Sequence, residues 1–224
     1  AILGAGSWGA TIAAMLHRNG HRPRIWAHLE EDRHQLLADR HPPGVPELEL
    51  PDLPITTDLE EALAGGAAAV LVVPAQAGAE VCARIAAIGD RPSLLVIASK
   101  GIDLEGLRPI SDVATDTLPG AEVAVISGPC IAREVARGIP TSVVAACTHE
   151  KVAERVQHWF SSPLFRVYRQ TDVLGVEYAG AYKNVIAIAA GVSDGLGFGA
   201  NSKSALLTRG LAEMSRFVLC KGGN

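Results

Sequence analysis

The chain opens AILGAGSWGATIAAMLHR, residues 1–18, and this stretch decides the fold. Ala1–Leu3 is short and apolar, as a buried strand is. Gly4, Gly6 and Gly9 then fall at the spacing GxGxxG, and Trp8–Arg18 reads as a helix, with Gly20 placed as its C-cap. Gly4 permits a tight turn, Gly6 lets a pyrophosphate approach the backbone, and Gly9 lets helix pack closely on strand. The helix N-terminus then faces the phosphates. Alone, the six residues are weak evidence, and a glycine-rich turn without ligand is the plain alternative. The strand before, the helix after and a second strand near Ile25 supply the context of a dinucleotide-binding turn.

Working outward, short β-rich runs alternate with helical patterns over the first two thirds. Strands are expected at Ala1–Leu3, Pro23–Trp26, Ala69–Val73, Leu94–Ala98, Val123–Ile126, Ser142–Ala145 and Phe165–Tyr168. They are rich in Val, Ile and Leu and lack polar alternation, which predicts burial on both faces and a parallel sheet covered by helices. Helices fit Trp8–Arg18, Glu30–Arg40, Leu59–Ala64, Ala77–Ile88 and Glu150–Phe160. Asp58 can cap the third, with Glu61 completing a capping box. The loop Arg40–Pro54 carries five prolines and reads as irregular, remote from the chemistry. From about Thr171 the β signal ends. Two helical patterns follow, Val173–Ala190 and Lys203–Leu219, split by GVSDGLGFGAN. The expected fold is α/β: a doubly wound Rossmann-type sheet in residues 1–170, then the start of an all-helical second domain in residues 171–224.

Composition narrows the function. With 224 residues and 48% hydrophobic content the chain can bury a substantial core. A formal net charge of −4 offers no basic footprint for nucleic acid. The longest apolar run, Val185 to Val192, is too short and glycine-rich to span a bilayer. Cys82, Cys130, Cys147 and Cys220 form neither a CxxC pair nor a disulfide framework, which fits a reducing cytoplasm. The first residues read directly as strand and turn, so no secretory leader is expected. Both ends read as cut, so the chain is expected to belong to a longer protein.

The end of the second strand bears on cofactor choice. A site built for NAD alone places Asp or Glu there to hold the ribose 2′-hydroxyl. Here Trp26, Ala27, His28 and Leu29 stand instead, with Glu30 and Glu31 only in the next helix. His28, with Arg24 or Arg33, could meet a 2′-phosphate; the plain alternative is an ordinary surface histidine.

Lys183 is the other informative residue. It sits in YAGAYKNVIAIAAG, among small apolar residues, and burying an unpaired ammonium costs several kcal/mol or strips its proton. One reading is a lysine that snorkels to the surface. The other is a proton donor beside a nicotinamide, with its pKa depressed, as carbonyl reduction requires. Two further segments favour the second. Ala98–Gly101 reads ASKG, with Lys100 at the carboxyl end of a buried strand, where ligands bind in open α/β sheets. Ser127–Pro129 reads SGP at the end of another strand, followed by Ala132, Arg133 and Glu134.

In their order and spacing, GAGSWG, ASKG, SGP, KNVIAIAAG and TRGLAEM resemble the bacterial type of NAD(P)-dependent glycerol-3-phosphate dehydrogenase. The resemblance covers all 224 residues. It implies interconversion of sn-glycerol 3-phosphate and dihydroxyacetone phosphate with NAD(P)H, without a metal, in the cytoplasm, supplying glycerophospholipid synthesis. It implies Lys183 as catalytic acid/base and Lys100 in contact with substrate and nicotinamide. Gly4, Gly6, Ser7, Trp8, Gly9, His28, Lys100 and Ala132 would line the cofactor. Gly128, Cys130, Lys183, Lys100 and Asn184 would meet the substrate, Asn184 also orienting Lys183. The pattern departs at Cys130, where the family generally has Ser or Thr, and a thiol is a weaker donor. The family's catalytic aspartate and its Arg-Asn phosphate grip would fall beyond residue 224. Arg209, in TRGLAEM, lies on a helix that could face the cleft, but a helix-capping or interdomain salt-bridge role fits it better than a site role. The glycine- and alanine-rich last helices would suit tight packing within a subunit or in a homodimer.

Two rival readings remain at this level. A β-hydroxyacid dehydrogenase shares the architecture and a helix lysine, but resembles GxxxKxxxN, and Ala187 stands where its Asn would be. A non-catalytic NAD(P)-binding sensor would need neither Lys100 nor Lys183.

Overall fold

The computed structural model describes residues 1–89 and 91–224. Eight strands make the main sheet: β1 (Ile2–Leu3), β2 (Ile25–Trp26), β3 (Ile55–Thr56), β4 (Ala68–Leu71), β5 (Leu94–Ile97), β8 (Glu122–Ser127), β9 (Thr141–Ala146) and β10 (Phe165–Gln170). A separate hairpin, β6 (Ile102–Asp103) with β7 (Arg108–Pro109), follows β5. The main-sheet order is β10-β9-β8-β5-β4-β1-β2-β3. The order reverses beside β1, the switch point where an α/β sheet opens a ligand crevice.

The sequence reading of an all-parallel sheet does not hold throughout. β9 runs antiparallel to β8, pairing Ser127 with Val144 and Val125 with Ala146, while β10 is parallel to β9. An apolar strand buried on both faces carries no directional signal, so this reversal is a tertiary fact. Two more elements went unpredicted. β3 is a two-residue edge strand emerging from the proline-rich loop, and the hairpin strands are equally short.

Helices cover both faces. α1 (Ser7–Arg18), α2 (Glu30–Asp39), α3 (Leu59–Leu63), α4 (Gly78–Ala86) and α7 (Glu150–Phe160) match the helical segments read from the sequence, within a few residues at their ends. α5 (Ile110–Thr117) and α6 (Ala132–Ala136) were not anticipated. Each face of the sheet has its own apolar layer. Ile2, Ile12, Val96, Ile126, Phe160 and Val167 belong to one; Leu3, Trp26, Leu71, Ile97, Ile110 and Val125 belong to the other. The alternation of Ile2 and Leu3 between layers is the period-two signature of a strand covered twice. Burying each such side chain stabilises by about 1.5–3 kcal/mol.

Local capping follows the sequence in part. Asp58 Oδ1 accepts from the Glu60 and Glu61 amides at 2.9 and 3.2 Å. The box is not closed by Glu61, whose carboxylate instead accepts from Thr56 Oγ1, while Thr56 takes the Asp58 amide at 3.1 Å. Gly20, at φ 88°, ends α1 as expected, and the His21 amide returns to the Leu16 carbonyl.

After β10 the chain enters α8 (Val173–Gly195) and α9 (Ala200–Cys220), which pack on each other. Asp172 caps α8 by accepting from the Gly175 amide at 2.8 Å, and its second oxygen takes the Asn224 amide at 2.7 Å. α8 packs against β8. It touches β8 where Gly180 sits against Ser127; a Cβ at 180 would collide with the Ser127 hydroxyl. No described helix is long and apolar enough to cross a membrane.

Candidate active site

The turn between β1 and α1 has the form its glycines demand. Gly4 lies at φ 135°, and a Cβ there would come 2.8 Å from the Val72 carbonyl oxygen. A Cβ on Gly9 would strike the Gly4 carbonyl. Gly6 differs: its φ is an ordinary −70°, and a Cβ there would meet nothing within 4 Å. The space beside Gly6 is therefore open on the cleft side. No side chain caps α1, so its first amides remain free to bind an anion. An open cradle before an uncapped helix start fits a dinucleotide pyrophosphate.

Ser7 and Trp8 occupy the first turn of α1. The Ser7 hydroxyl donates to the Pro43 carbonyl, and Trp8 is half-buried, tilted against Phe165 at 6.3 Å. The proline-rich loop is thus not remote from the chemistry, contrary to the sequence reading. It folds over the glycine turn, and its Glu47 pairs with Arg133 at 2.5 Å, beside Ala132 at the start of α6. The Arg133 guanidinium, donating to Glu47, holds that carboxyl below its usual range. Prolines hid this role, since they signal only irregular backbone.

At the end of β2, His28 is exposed and meets the Trp26 ring edge-on at 5.6 Å. Arg24 is not its neighbour: it donates to the Glu61 and Ala64 carbonyls, at the amino end of the strand. Arg33 is at the right end but engaged, donating to the Ile55 carbonyl and to Glu30 at 2.6 Å. Glu30 is further tied to Thr57 at 3.0 Å. A carboxylate therefore does stand four residues past β2, occupied by its own partners.

The second group of candidate site residues lies where β5 and β8 terminate. Lys100 follows β5, and its Nζ donates to the Gly128 carbonyl at 2.8 Å. Gly128 has φ 152°, and a Cβ there would come 2.9 Å from Val143 Cα, so the SGP turn presses directly on β9. Burial lowers the pKa of Lys100; the facing Cys130 thiol opposes that shift, and the nearby Lys183 charge adds to it. Burial raises the Cys130 pKa, while Lys100 and then Lys183 pull it back. Lys100, Cys130 and Lys183 therefore converge on one electrostatic cluster.

Lys183 itself is half-buried rather than sealed in an apolar interior, and it donates to Asn184 Oδ1 at 3.1 Å. The apolar residues around it misled the reading of burial, because Val185 (59%) and Ile188 (69%) face outward. A cleft of 350 Å³ runs beside it, lined by Ser127, Gly128, Val144, Gly180, Lys183 and Met214. A larger cavity of 510 Å³ lies at the amino ends of β1 and β2, among Ala1, Arg22, Arg24 and Asp52. That is the wrong end of the sheet for a nicotinamide site. Arg209 is on the surface in an ion pair with Glu213 at 3.0 Å.

Among the described residues, Glu122, Cys147 and His149 bring possible ligand atoms within 4.8 Å of one another. Glu122 begins β8 and Ser127 ends it, so this group stands away from the lysines. His149 Nδ1 and Glu122 already pair at 2.6 Å. All four cysteines are free.

Comparison with known proteins matches both halves of this arrangement. Residues 1–153 fit the model of the NAD-dependent glycerol-3-phosphate dehydrogenase N-terminus, and residues 172–224 fit that of the C-terminus. The chain belongs to the NAD-dependent glycerol-3-phosphate dehydrogenase family.

The relatives agree. Glycerol-3-phosphate dehydrogenase [NAD(P)+] of Citrifermentans bemidjiense is 44% identical over 229 residues, covering 99% of this chain and 68% of that protein. The Geobacter sulfurreducens enzyme of the same name is 48% identical over 227 residues, covering 99% and 68%. The crystal structure of glycerol-3-phosphate dehydrogenase from Coxiella burnetii superposes with a TM-score of 0.91 at 36% identity, covering 99% of this chain and 69% of that one. As a glycerol-3-phosphate dehydrogenase, the protein is an oxidoreductase acting on a CH–OH group with NAD(P)(H) as cofactor. The family sets aside the two rival readings, hydroxyacid dehydrogenase and sensor.

Proposed function

We propose that Lys100 and Lys183 form the cationic pair that works on the central carbon of dihydroxyacetone phosphate, with Lys183 as general acid/base. The observation that carries this reading is that Lys100 donates to the Gly128 carbonyl at 2.8 Å and that Gly128 lines the same cleft as Lys183. The bound nicotinamide supplies the hydride. As it arrives, negative charge develops on the substrate's carbonyl oxygen, and two ammonium groups stabilise that charge best where water is excluded. Lys183 then gives its proton to the oxygen. In the oxidative direction its neutral amine takes the proton from the alcohol of sn-glycerol 3-phosphate. Asn184 holds the Lys183 ammonium in place, and the Gly128 carbonyl holds Lys100. Cys130 and Gly128 border the substrate. Gly4, Gly6, Ser7, Trp8, Gly9, His28 and Ala132 border the cofactor.

In this reading residues 1–170 are the dinucleotide unit and residues 171–224 begin the helical substrate unit. The free cysteines suit the cytoplasm, where the product would serve glycerophospholipid synthesis. The apolar outer faces of α8 and α9 suit a homodimer contact.

The test is Lys183→Ala in the full-length enzyme. Proton transfer contributes about 10²–10⁴-fold in rate, so kcat should fall by that order while dinucleotide affinity stays near that of the parent. An alanine variant that keeps most of its kcat assigns the proton to another group.

A further inference from the structure

Glu177 is a charged side chain with no part in the chemistry above, yet it is only 3% exposed. It projects from α8 into the start of α5. Its Oε1 accepts from the Ile110 amide at 2.7 Å and the Ser111 amide at 3.2 Å, and Oε2 lies 3.3 Å from the Ser111 amide. These are the first two amides of α5, and Pro109, its N-cap, has no side-chain oxygen to offer them. Helix starts leave such amides unsatisfied, and an acceptor with negative charge is the favoured partner. Here that partner comes from 66 residues away in sequence.

The two elements joined this way carry the two lysines. Lys100 leads through Gly101 into the hairpin β6–β7, and Pro109 of β7 passes directly into α5. Lys183 lies six residues beyond Glu177 on α8, about 9 Å along the axis and about a third of a turn around it. Glu177 therefore fixes the rotation and height of α8 against the segment that begins at Lys100. Three residues on, Gly180 rests on Ser127 of β8, a second fixed point on the same side of Lys183.

We propose that Glu177 is a positioning residue: by gripping the first amides of α5 it sets where Lys183 stands relative to Lys100. The inference rests on the reading of those two lysines as the working pair. It calls for an acceptor of this length at 177, not for a charge as such. A glutamine carbonyl can take the same amides. An aspartate stops one methylene short, and a leucine fills the space without accepting anything.

The experiment compares Glu177→Leu, Glu177→Asp and Glu177→Gln in the full-length enzyme, with Lys183→Ala alongside. Misplacing a reacting group by about 1 Å can cost about 10²-fold in rate. Leu and Asp should each lower kcat by at least about tenfold, with dinucleotide Kd within about twofold of the parent. Gln should restore kcat to within about threefold of the parent. Parental kcat in the Leu or Asp variant overturns the proposal. So does a parallel loss of kcat and dinucleotide affinity, which would make Glu177 a general prop of the fold. Should the Leu variant fail to fold, the Asp and Gln pair decides by the same criteria. Retained turnover in Lys183→Ala would instead sink the reading of the lysine pair, independently of Glu177.

Discussion

At the scale of single residues, two glycines near the site serve opposite ends. Gly128 is required by the fold: its φ of 152° is a conformation L side chains rarely adopt, and a Cβ would press on Val143 Cα. Its carbonyl also holds Lys100. Gly6 is not required by the fold: its backbone is ordinary and the space beside it is open. Gly128→Ala should therefore destabilise by about 1–3 kcal/mol and lower kcat as Lys100 loses its seat. Gly6→Ala should leave stability within about 0.5 kcal/mol while weakening NAD(P)H binding by about tenfold or more. Denaturant unfolding and calorimetric titration of both variants check the contrast, and matching profiles for the two would refute it. GAGSWG was legible in the sequence because Gly4 and Gly9 answer steric demands of the neighbouring backbone, while Gly6 leaves open the room a pyrophosphate needs. The surroundings of Lys183 were not, since a run of apolar residues says nothing about which side of a helix finds a partner.

At the scale of elements, α5 shows what local sequence leaves out. Ile110–Thr117 has no capping residue of its own, so no start signal announced it; the cap is Glu177, reached only through the tertiary fold. β9 was legible as a strand but not in its direction, and β3 was too short to stand out among the prolines. The long helices and central strands were legible, because sustained apolar periodicity survives any context. The buried cap also gives the fold a pH dependence. Burial raises the Glu177 pKa from 4.5 to about 7; the Ser111 hydroxyl and the Ser111 and Ile110 amides oppose the shift, and Asp112 adds to it. Tyr178, its neighbour on α8, is in turn raised by burial and by the charges of Asp112 and Glu177. With the folded pKa above the unfolded one, the folded state keeps a proton between those values that the unfolded chain has released. Stability is then greatest below about pH 4.5, declines as pH rises through about 7, and changes no further beyond it on account of this group. A shift of that size corresponds to at most about 3–4 kcal/mol. Relative to Glu177→Gln, which cannot ionise, the parent should lose stability across this window by up to that amount. Unfolding free energies at pH 5, 6, 7 and 8 measure the difference; a flat difference, or one that grows with pH, excludes it.

At the scale of the whole molecule, the sheet is covered on both faces while the last two helices are not. Val185, Ile188, Val192 and Leu196 on the α8 side, with Leu207 and Leu211 on α9, are exposed. Apolar surface of this extent marks a contact face. The chain spans 68% of the length of the Citrifermentans relative. Residues 1–224 by themselves should bind NAD(P)H through the intact cradle, self-associate through the α8 and α9 faces, and fail to turn over dihydroxyacetone phosphate. Sedimentation, titration with NADH and a spectrophotometric assay of that polypeptide test the three statements; a monodisperse monomer with robust turnover contradicts the last two. The order of the elements has a temporal side as well. Every strand of the main sheet lies between residues 2 and 170, and the helix bearing Lys183 follows them all. During vectorial synthesis N-terminal units fold first as the chain emerges. The nascent polypeptide thus presents every strand of its sheet before the helix that bears Lys183, and that helix is laid down chiefly on β8, with β9 beside it.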